Sequence, residues 1–469
     1  MNFFIGIKIF DIVKNAIIFV IINKFSDSDN LYTFKLLMNL KIAITLFIAV
    51  VTSININAHD FESNGIYYNI IDNDSEIKTV EVTFKGDRHD EYKGYEGEII
   101  IPETVEYSGI TYSVIAIGNR AFEYCGITSV SMPNTIKYIG DSAFEYCPSL
   151  TSLNIPDSLI SLGVESLFGC FALTSITLPE SFIYIGEGAL SAMPNLVDIF
   201  VKGNNPMFCS IDGVLFNKDK TELWVYPAGR SGEYKIPESV TNIIEWAFCG
   251  CGMLTTVQIP DGVTYIGDYA FIDCFNLATA ELPQYITYLG SKSFANTALT
   301  SVKIPDSITS INSFAFSDCK SLEYVNIPES VILIDDFAFH GCDVLKQVTL
   351  PTNLGSLGFK AFFGCYSLNY ITSLNTTPPT CGDMAFDEID KEKCILHVPS
   401  ESIEKYKAVT PWNQFKTIDS DVSLIKETSS EINRIVSARY SVDGKPVNAG
   451  FKGIVIEIYS DGETLIRKQ

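Results

Sequence analysis

Residues 304–326 read IPDSITSINSFAFSDCKSLEYVN, and residues 327–349 read IPESVILIDDFAFHGCDVLKQVT, two successive stretches of 23 residues. Both carry an Ile-Pro pair, an Ala-Phe pair and a cysteine at the same positions. Internal repetition with a period of about 20–50 residues indicates a chain built from stacked, similar units. This repeated stretch therefore decides the architecture.

The same landmarks recur along most of the chain, and ten coils can be counted on the cysteine register. The proline positions are Pro133, Pro156, Pro179, Pro237, Pro260, Pro283, Pro305, Pro328 and Pro351. The phenylalanine positions are Phe122, Phe144, Phe248, Phe271, Phe294, Phe316, Phe339 and Phe362. The cysteine positions are Cys125, Cys147, Cys170, Cys251, Cys274, Cys319, Cys342 and Cys365, with Met193 and Thr297 in two further coils.

Each repeat predicts one coil with three parts. LEYVNIP alternates apolar and polar residues, which favours a short strand with one buried face, and Pro328 ends it because proline has no N–H to donate. Val331 and Ile334 form a second apolar pair, and DDFAFHGC predicts a single helical or 3₁₀ turn. One coil cannot cover its own apolar residues, so we expect the coils to stack with parallel strands.

The recurring pattern L-x-x-[VI]-x-[IL]-P-x-x-[VI]-x-x-[IL]-G-x-x-A-F-x-x-C resembles the BspA-like leucine-rich repeats of secreted and surface proteins from anaerobic bacteria. The resemblance implies a repeat solenoid of leucine-rich-repeat type with parallel short strands, single helical or 3₁₀ turns and β-rich caps. For some members it also implies binding to host or bacterial surfaces. The recurring residues are those of the core, so the pattern is specific for the fold and weak for the function.

Boundaries follow from where this pattern starts, changes and stops. We expect a probable upstream extension (1–37), a signal peptide (38–58), an N-terminal β cap (59–98), the solenoid (99–371, with an enlarged coil and hairpin at 194–236), a C-terminal cap (372–418), a linker (419–432) and a C-terminal β-module (433–469).

Two of these segments concern export. Lys41, the apolar run 42–51 and a small residue at Ala58 are typical of a secretory signal, with a mature chain starting near His59. The alternative is an anchor helix over residues 3–22. The last segment resembles C-terminal modules that direct secretion by the type IX route, although its ending, IRKQ, is less typical; the alternative is a capping module without a sorting role.

Charge and cysteine usage narrow the possible partners. A formal net charge of −23 over 469 residues argues against binding nucleic acid or anionic membranes. Eight of the twelve cysteines occupy one repeat position, where Met and Thr also occur, which predicts small buried slots with free thiols. Cys381 and Cys394, in the irregular C-terminal cap, are the possible disulfide.

No catalytic constellation is recognisable in the sequence, and we expect no enzyme, no metal site and no cofactor. The four histidines are not near a Ser-Asp or Cys arrangement that the repeat would bring together. The glycine of the recurring Ile-Gly pair indicates a turn and not a phosphate-binding loop. We therefore expect a binding or adhesion protein with protein or glycan partners and no membrane span in the mature chain. The alternative is a structural or host-modulating surface protein without a fixed ligand.

Two groups of aromatic residues are candidate contacts. The residue before the Ile-Gly pair neighbours a buried position and should point outward; it is Tyr in four coils, Tyr138, Tyr184, Tyr265 and Tyr288. We expect Tyr265 and Tyr288 at the centre of this stripe, unless the rings lie flat and shield neighbouring coils. Trp224 and Tyr226 lie on the hairpin of the enlarged coil, either as contacts or as residues that pin the hairpin.

Overall fold

The computed structural model describes residues 59–85 and 94–420 in full. Beyond them it describes three strands, Val436–Ser441, Ile454–Tyr459 and Thr464–Lys468. The predicted upstream extension, the signal peptide and most of the predicted linker lie outside the described residues. Within the described part, no helix is both long and apolar enough to cross a membrane.

The predicted solenoid is confirmed, and every coil has three sides. One coil runs through a first strand, Tyr324–Asn326, a second strand, Leu333–Ile334, and a turn that ends at Cys342. Both strands pair in parallel with the next coil at a shift of one repeat, so that Tyr324 faces Gln347 and Leu333 faces Ser356. We name these the first-strand side, the second-strand side and the turn side.

The strands of each side form several short sheets. Strands of the first-strand side are Glu96–Ile100, Gly126–Ser131, Ser152–Asn154, Ser175–Leu178, Asp198–Val201, Gly232–Lys235, Leu254–Gln258, Thr279–Ala280, Ser301–Lys303, Tyr324–Asn326, Gln347–Leu350, Tyr370–Ser373, Ile395–His397 and Thr417–Asp419. Strands of the second-strand side are Ile110–Ile117, Tyr138–Ile139, Ser161–Leu162, Tyr184–Ile185, Glu222–Val225, Asn242–Ile243, Tyr265–Ile266, Tyr288–Leu289, Ser310–Ile311, Leu333–Ile334, Ser356–Leu357 and Thr380–Cys381.

The turn side is a series of tight turns rather than a helix. Ala338 and His340 donate their N–H groups to carbonyls three residues earlier, as in a 3₁₀ helix. Phe337 and Gly341, however, have left-handed backbones with φ of 57° and 67°, which interrupts a helix. Alternate N–H groups, from Phe337, Phe339 and Gly341, instead donate to carbonyls of the next coil at 2.8 Å. The turn side is thus a third hydrogen-bonded ladder between coils.

The phenylalanine of each repeat lies in the core, as predicted. All eight predicted rings are fully buried, and in the second half they stack nearly parallel, with centroids 4.6–5.8 Å apart from Phe248 to Phe386. Leu167 and Leu190 are buried at the same position in the two coils before the enlarged one. The last ring, Phe386, belongs to a coil beyond the ten that the cysteine register identifies.

The repeat cysteines are buried free thiols that link neighbouring coils. Cys342 donates its thiol hydrogen to the carbonyl of Phe316 at 3.2 Å, and Cys365 donates to that of Phe339 at 3.2 Å. The same bond recurs at Cys147, Cys170, Cys274 and Cys319. Burial raises the pKa of Cys319 to about 11 and that of Cys170 to about 12. The position therefore favours a small residue that donates a weak hydrogen bond, although Met193 is buried there without a donor.

The recurring Ile-Gly glycine allows close packing of the coils that carry it. A Cβ on Gly290 would lie 2.4 Å from the amide nitrogen of Asp268 and 2.4 Å from the carbonyl carbon of Gly267. Gly163 and Gly186 meet the backbone of the preceding coil in the same way. In these coils a side chain would therefore need the backbone to shift, whereas the coils with Ile244, Asn312 and Asp335 at this position accommodate one.

Both ends of the solenoid are covered by aromatic residues. At the N-terminal end, Phe61–Ser63, Ile66–Asp72 and Thr79–Thr83 form antiparallel pairs, Thr104–Tyr107 pairs with Ile110–Ile117, and Tyr95 packs on Phe122 at 4.8 Å. At the other end, Ser400–Ser402, Ile403–Lys407 and Trp412–Gln414 are short helical segments. They place Trp412 at 5.1 Å and Phe415 at 5.6 Å from Phe386.

The three C-terminal strands form one antiparallel sheet. Val436–Ser441 pairs with Ile454–Tyr459, which pairs with Thr464–Lys468. All three strands lie within residues 433–469, where a C-terminal β-module is expected. A possible sorting role of the module stays a prediction.

Candidate functional site

The predicted tyrosine stripe lies on the second-strand side, but its four members differ in accessibility. Tyr138 and Tyr184 are exposed, by 44% and 55%, and Ser161 pairs between them in the same sheet. Tyr265 and Tyr288, expected at the centre of the stripe, are half-buried. The enlarged coil separates the two pairs along the chain.

Tyr265 and Tyr288 form a closed, mutually supported pair. Their rings stack with centroids 4.9 Å apart and an interplanar angle of 11°. Tyr288 donates its hydroxyl to Asp268 Oδ1 at 2.8 Å, and Tyr265 donates to Glu245. Burial, followed by the bond to Asp268, raises the pKa of Tyr288 to about 12. Each ring thus has one face and its hydroxyl occupied within the protein, which matches the alternative in which the rings shield neighbouring coils.

The enlarged coil contains the expected hairpin, and this hairpin is part of the solenoid wall. Phe208–Ile211 and Val214–Asn217 pair antiparallel, as do Val214–Asn217 and Glu222–Val225. The last of these strands then pairs in parallel with Asn242–Ile243 of the next coil. Val214, Leu215 and Phe216 are fully buried, because this strand covers the core where a repeat is missing.

The two hairpin aromatics have different surroundings. Tyr226 is 4% exposed and packs on Phe248 at 4.9 Å, so it extends the phenylalanine ladder and is not accessible to a partner. Trp224 is half-buried, packs edge-on against Phe208 at 5.3 Å, and donates Nε1–H to Glu222 Oε2 at 3.0 Å. Of this predicted pair, only Trp224 borders an accessible cavity.

That cavity is a cleft of about 280 Å³ between the enlarged coil and the coil before it. The earlier coil contributes Tyr184, Glu187 and the backbone around Gly186. The opposite wall is formed by Glu222, Trp224 and Glu245. We call these residues the junction cleft; Tyr184 and Trp224 come from the two predicted aromatic groups, and the structure brings them to one site.

The junction cleft lies where the second-strand ladder is interrupted while the coils stay in contact on the turn side. Tyr184–Ile185 is the last strand of its sheet, and Glu222–Val225 belongs to the next sheet. On the turn side, the coils flanking the insertion remain in direct contact: Ser191 Oγ donates to the carbonyl of Trp246 at 3.2 Å, and Ala192 N to that of Cys249 at 3.4 Å. The insertion therefore separates the coils on the second-strand side but leaves them in contact on the turn side.

The turn side carries a second outward column that the sequence analysis did not single out. It consists of the left-handed residue two positions before the repeat phenylalanine in six successive coils: Trp246, Tyr269, Lys292, Phe314, Phe337 and Lys360. Trp246 stacks on Tyr269 at 4.3 Å and Phe314 on Phe337 at 4.4 Å. Lys292 Nζ lies 5.1 Å from the ring centroids of both Tyr269 and Phe314. All six side chains are half-buried by one another.

Cys381 and Cys394, suggested as a disulfide, are free thiols in the structure, as are the other ten cysteines. Cys381 ends a second-strand-side strand, whereas Cys394 directly precedes the first-strand-side strand Ile395–His397. The two residues therefore belong to different sheets of the cap, and the bridge is not formed. Burial raises the pKa of each thiol to about 12.

Sequence reasoning missed several polar residues. Glu187, Glu222 and Glu245 have no motif of their own; the only signal was the enlarged coil, which marks a break in the ladder. It also missed a contact between His397 Nδ1 and Asp419 Oδ1, 2.5 Å apart, because Asp419 was assigned to the linker. The structure instead places Asp419 in the last solenoid strand, Thr417–Asp419.

Comparison with known sequences gives a clear assignment. A profile of the family described as the BspA type leucine rich repeat region matches residues 104–220, 231–346 and 332–418, in six copies. These segments span more than half of the 469-residue chain. No curated protein matches the chain significantly.

Solved structures of similar proteins come from several bacteria. A leucine-rich repeat protein from Bacteroides ovatus is 25% identical, with 77% of this chain and 99% of that chain covered and a TM-score of 0.42. The pneumococcal vaccine antigen PcpA is 20% identical, with 78% and 99% covered and a TM-score of 0.46. A leucine-rich repeat protein from Eubacterium ventriosum is 23% identical, with 64% and 93% covered and a TM-score of 0.48. All three TM-scores lie below 0.5, so the family assignment depends on the sequence profile.

Proposed function

Because this chain belongs to the BspA-type leucine-rich repeat family, we propose that it is an exported, non-enzymatic binding protein that contacts protein or glycan partners with its second-strand side. The observation that carries the proposal is the exposure of Tyr138 and Tyr184 on one column of that side. Tyrosine offers a flat apolar ring and a hydroxyl, and it is enriched at binding surfaces. An outward aromatic column is not needed for solubility in a chain with a net charge of −23.

The location of the contact within this side follows from the two tyrosine pairs. Tyr265 and Tyr288 already use their hydroxyls and one ring face within the protein. A partner would have to disrupt those contacts before binding there. Tyr138 and Tyr184 require no such rearrangement, which favours a contact centre at the N-terminal half of the column, next to the junction cleft.

The test uses the full-length protein on a glycan array and on a panel of extracellular matrix proteins. The double change Tyr138→Ser/Tyr184→Ser should weaken binding to any partner found by at least about tenfold, since exposed aromatic anchors dominate interfaces. The matched control is Tyr285→Ser/Tyr366→Ser, which removes two rings exposed by 65% and 61% outside the column. Equal loss of binding in both variants would refute the assignment to this side. A chain that binds nothing on either panel would favour a surface protein without a fixed ligand.

Export is tested separately. N-terminal sequencing of protein from culture and membrane fractions should find a chain starting near His59. A secreted or surface chain that retains residues 1–37 would contradict the signal-peptide assignment and favour the anchor.

A further inference from the structure

The junction cleft presents hydrogen-bond acceptors on both walls. Glu187 lies on one wall, and Glu222 and Glu245 lie on the other. Trp224 Nε1 donates to Glu222 and the Tyr265 hydroxyl donates to Glu245, and these bonds orient the two carboxylates of the second wall. None of the lining residues is Lys, Arg or His. A ligand that fills the cleft must therefore supply donors or positive charge.

The interrupted ladder adds backbone acceptors to the same place. One coil earlier, the carbonyls of Ile160 and Leu162 accept the N–H groups of Ile183 at 2.9 Å and Gly186 at 2.8 Å. The equivalent carbonyls here belong to Ile183 and Ile185, and their strand is the last of its sheet. Within residues 59–85 and 94–420, no backbone N–H donates to either carbonyl. Ile185 lines the cleft, and its carbonyl accepts no backbone hydrogen bond within the described residues.

Two aromatic rings complete the lining. Tyr184 is 55% exposed and lies on the wall opposite Trp224, whose indole is fixed by Phe208 and Glu222. Rings of this kind attract cations over their faces, and a guanidinium group stacks on them while its planar N–H groups bond to carboxylates in pairs. An ammonium group satisfies the charge but not the planar stacking.

We propose that the junction cleft binds the guanidinium side chain of an arginine in a basic segment of a partner protein. This inference rests on the proposed binding role of the second-strand side and names the chemistry of its partner there. The net charge of −23 favours the encounter with such a segment. A neutral sugar would leave three carboxylates without a compensating charge. We use it in the test as the competing occupant that the proposal excludes.

The probe is fluorescein-labelled nona-arginine, titrated into the full-length protein at about 150 mM salt, where exposed charges are partly screened. The change Glu222→Gln/Glu245→Gln keeps an acceptor oxygen for Trp224 and Tyr265 but removes two charges; it should weaken binding at least tenfold. The matched control, Asp261→Asn/Asp306→Asn, removes two exposed charges outside the cleft and should change binding less than twofold. If the double variant does not fold, the single change Glu187→Gln, at an exposed residue, takes its place. This change should weaken binding about threefold.

Four outcomes would overturn the proposal: no binding of nona-arginine; equal loss of binding in the cleft and control variants; equal affinity for nona-lysine; or binding of neutral maltohexaose that the cleft variants abolish. If Glu222→Gln/Glu245→Gln loses nona-arginine binding but still attaches to a panel partner, the result would support the cleft as an arginine site separate from the wider surface. Attachment that depends on Tyr138 while nona-arginine fails to bind would refute this inference and leave the proposed function in place.

Discussion

The turn side and the second-strand side respond differently to the enlarged coil. On the turn side, the coils before and after the insertion stay in contact through Ser191 and Ala192, and Trp246 packs edge-on against Phe168 at 6.0 Å. On the second-strand side, the ladder ends at Tyr184–Ile185 and a cleft opens. One insertion thus leaves one side continuous and divides the other.

The difference has a physical origin. The turn side is backed by the phenylalanine rings and the thiol bonds, so opening it would expose large apolar side chains. Second strands are mostly two residues long, so opening one ladder step there gives up few hydrogen bonds. A repeat protein can therefore keep its stability on one side and place recognition on another.

The largest expected effect comes from the turn side. Phe316 is fully buried and stacks on Phe294 and Phe339, at 5.8 and 5.5 Å. Phe316→Ala should lower the free energy of unfolding by about 3–5 kcal/mol, because it leaves a cavity in a stacked ladder. Urea unfolding followed by circular dichroism measures this. Tyr184→Ser on the divided side should cost less than about 0.5 kcal/mol; a similar cost at both positions would refute the division of roles.

A smaller effect is expected where coils approach most closely. Gly290→Ala places a Cβ 2.4 Å from backbone atoms of the preceding coil, which cannot move aside as a flexible side chain would. The change should cost about 1–3 kcal/mol in the same assay. At Gly262 the nearest atoms would lie 3.8 and 3.9 Å away, so Gly262→Ala is the matched control and should be nearly neutral. A larger loss of unfolding free energy for Gly262→Ala than for Gly290→Ala would show that the Ile-Gly glycine serves the turn and not the coil spacing.

Raising the pH above 9 should lower the stability of the turn side first and that of the second-strand side next. Burial raises the pKa of Cys319 from about 9 to about 11, so the thiol's contribution is complete below pH 9 and is lost between pH 9 and 11. Burial and Asp268 raise the pKa of Tyr288 from about 10 to about 12, which places its loss between pH 10 and 12. The urea midpoint should therefore fall steadily from pH 9 upward. In Cys319→Ala the urea midpoint should fall less steeply between pH 9 and 11. An unchanged slope would count against a buried thiol at this position.

The smallest effect concerns the outer surface of the turn side. Lys292→Met keeps the length of the side chain but removes the charge between Tyr269 and Phe314. We expect a loss of about 0.5–1 kcal/mol in unfolding free energy. Lys303→Met, at an exposed first-strand position, is the control and should be neutral. A neutral Lys292→Met would show that the column is held by ring stacking alone.

The sequence predicted most of the fold because the repeat residues are core residues. The buried phenylalanine and cysteine positions and the parallel strands follow from the periodicity. The junction cleft could not be predicted in this way, since it depends on which strand of the enlarged coil joins the ladder. Tyr226 illustrates this: its sequence context suggests a hairpin surface, but it occupies the ring position of a missing Ala-Phe pair.

In an oxidising medium, the buried thiols would make the lifetime of the solenoid depend on how often its coils open. Eight cysteines stay unpaired because each is buried against a neighbouring coil, and the thiolate that oxidants attack is disfavoured there. If a coil opens in an oxidising medium, its thiol becomes reactive and can be converted to a sulfenic acid or a mixed disulfide. A modified sulfur no longer fits the slot, so the coil cannot close again. The working lifetime is then governed by the rate of opening and not by the equilibrium stability.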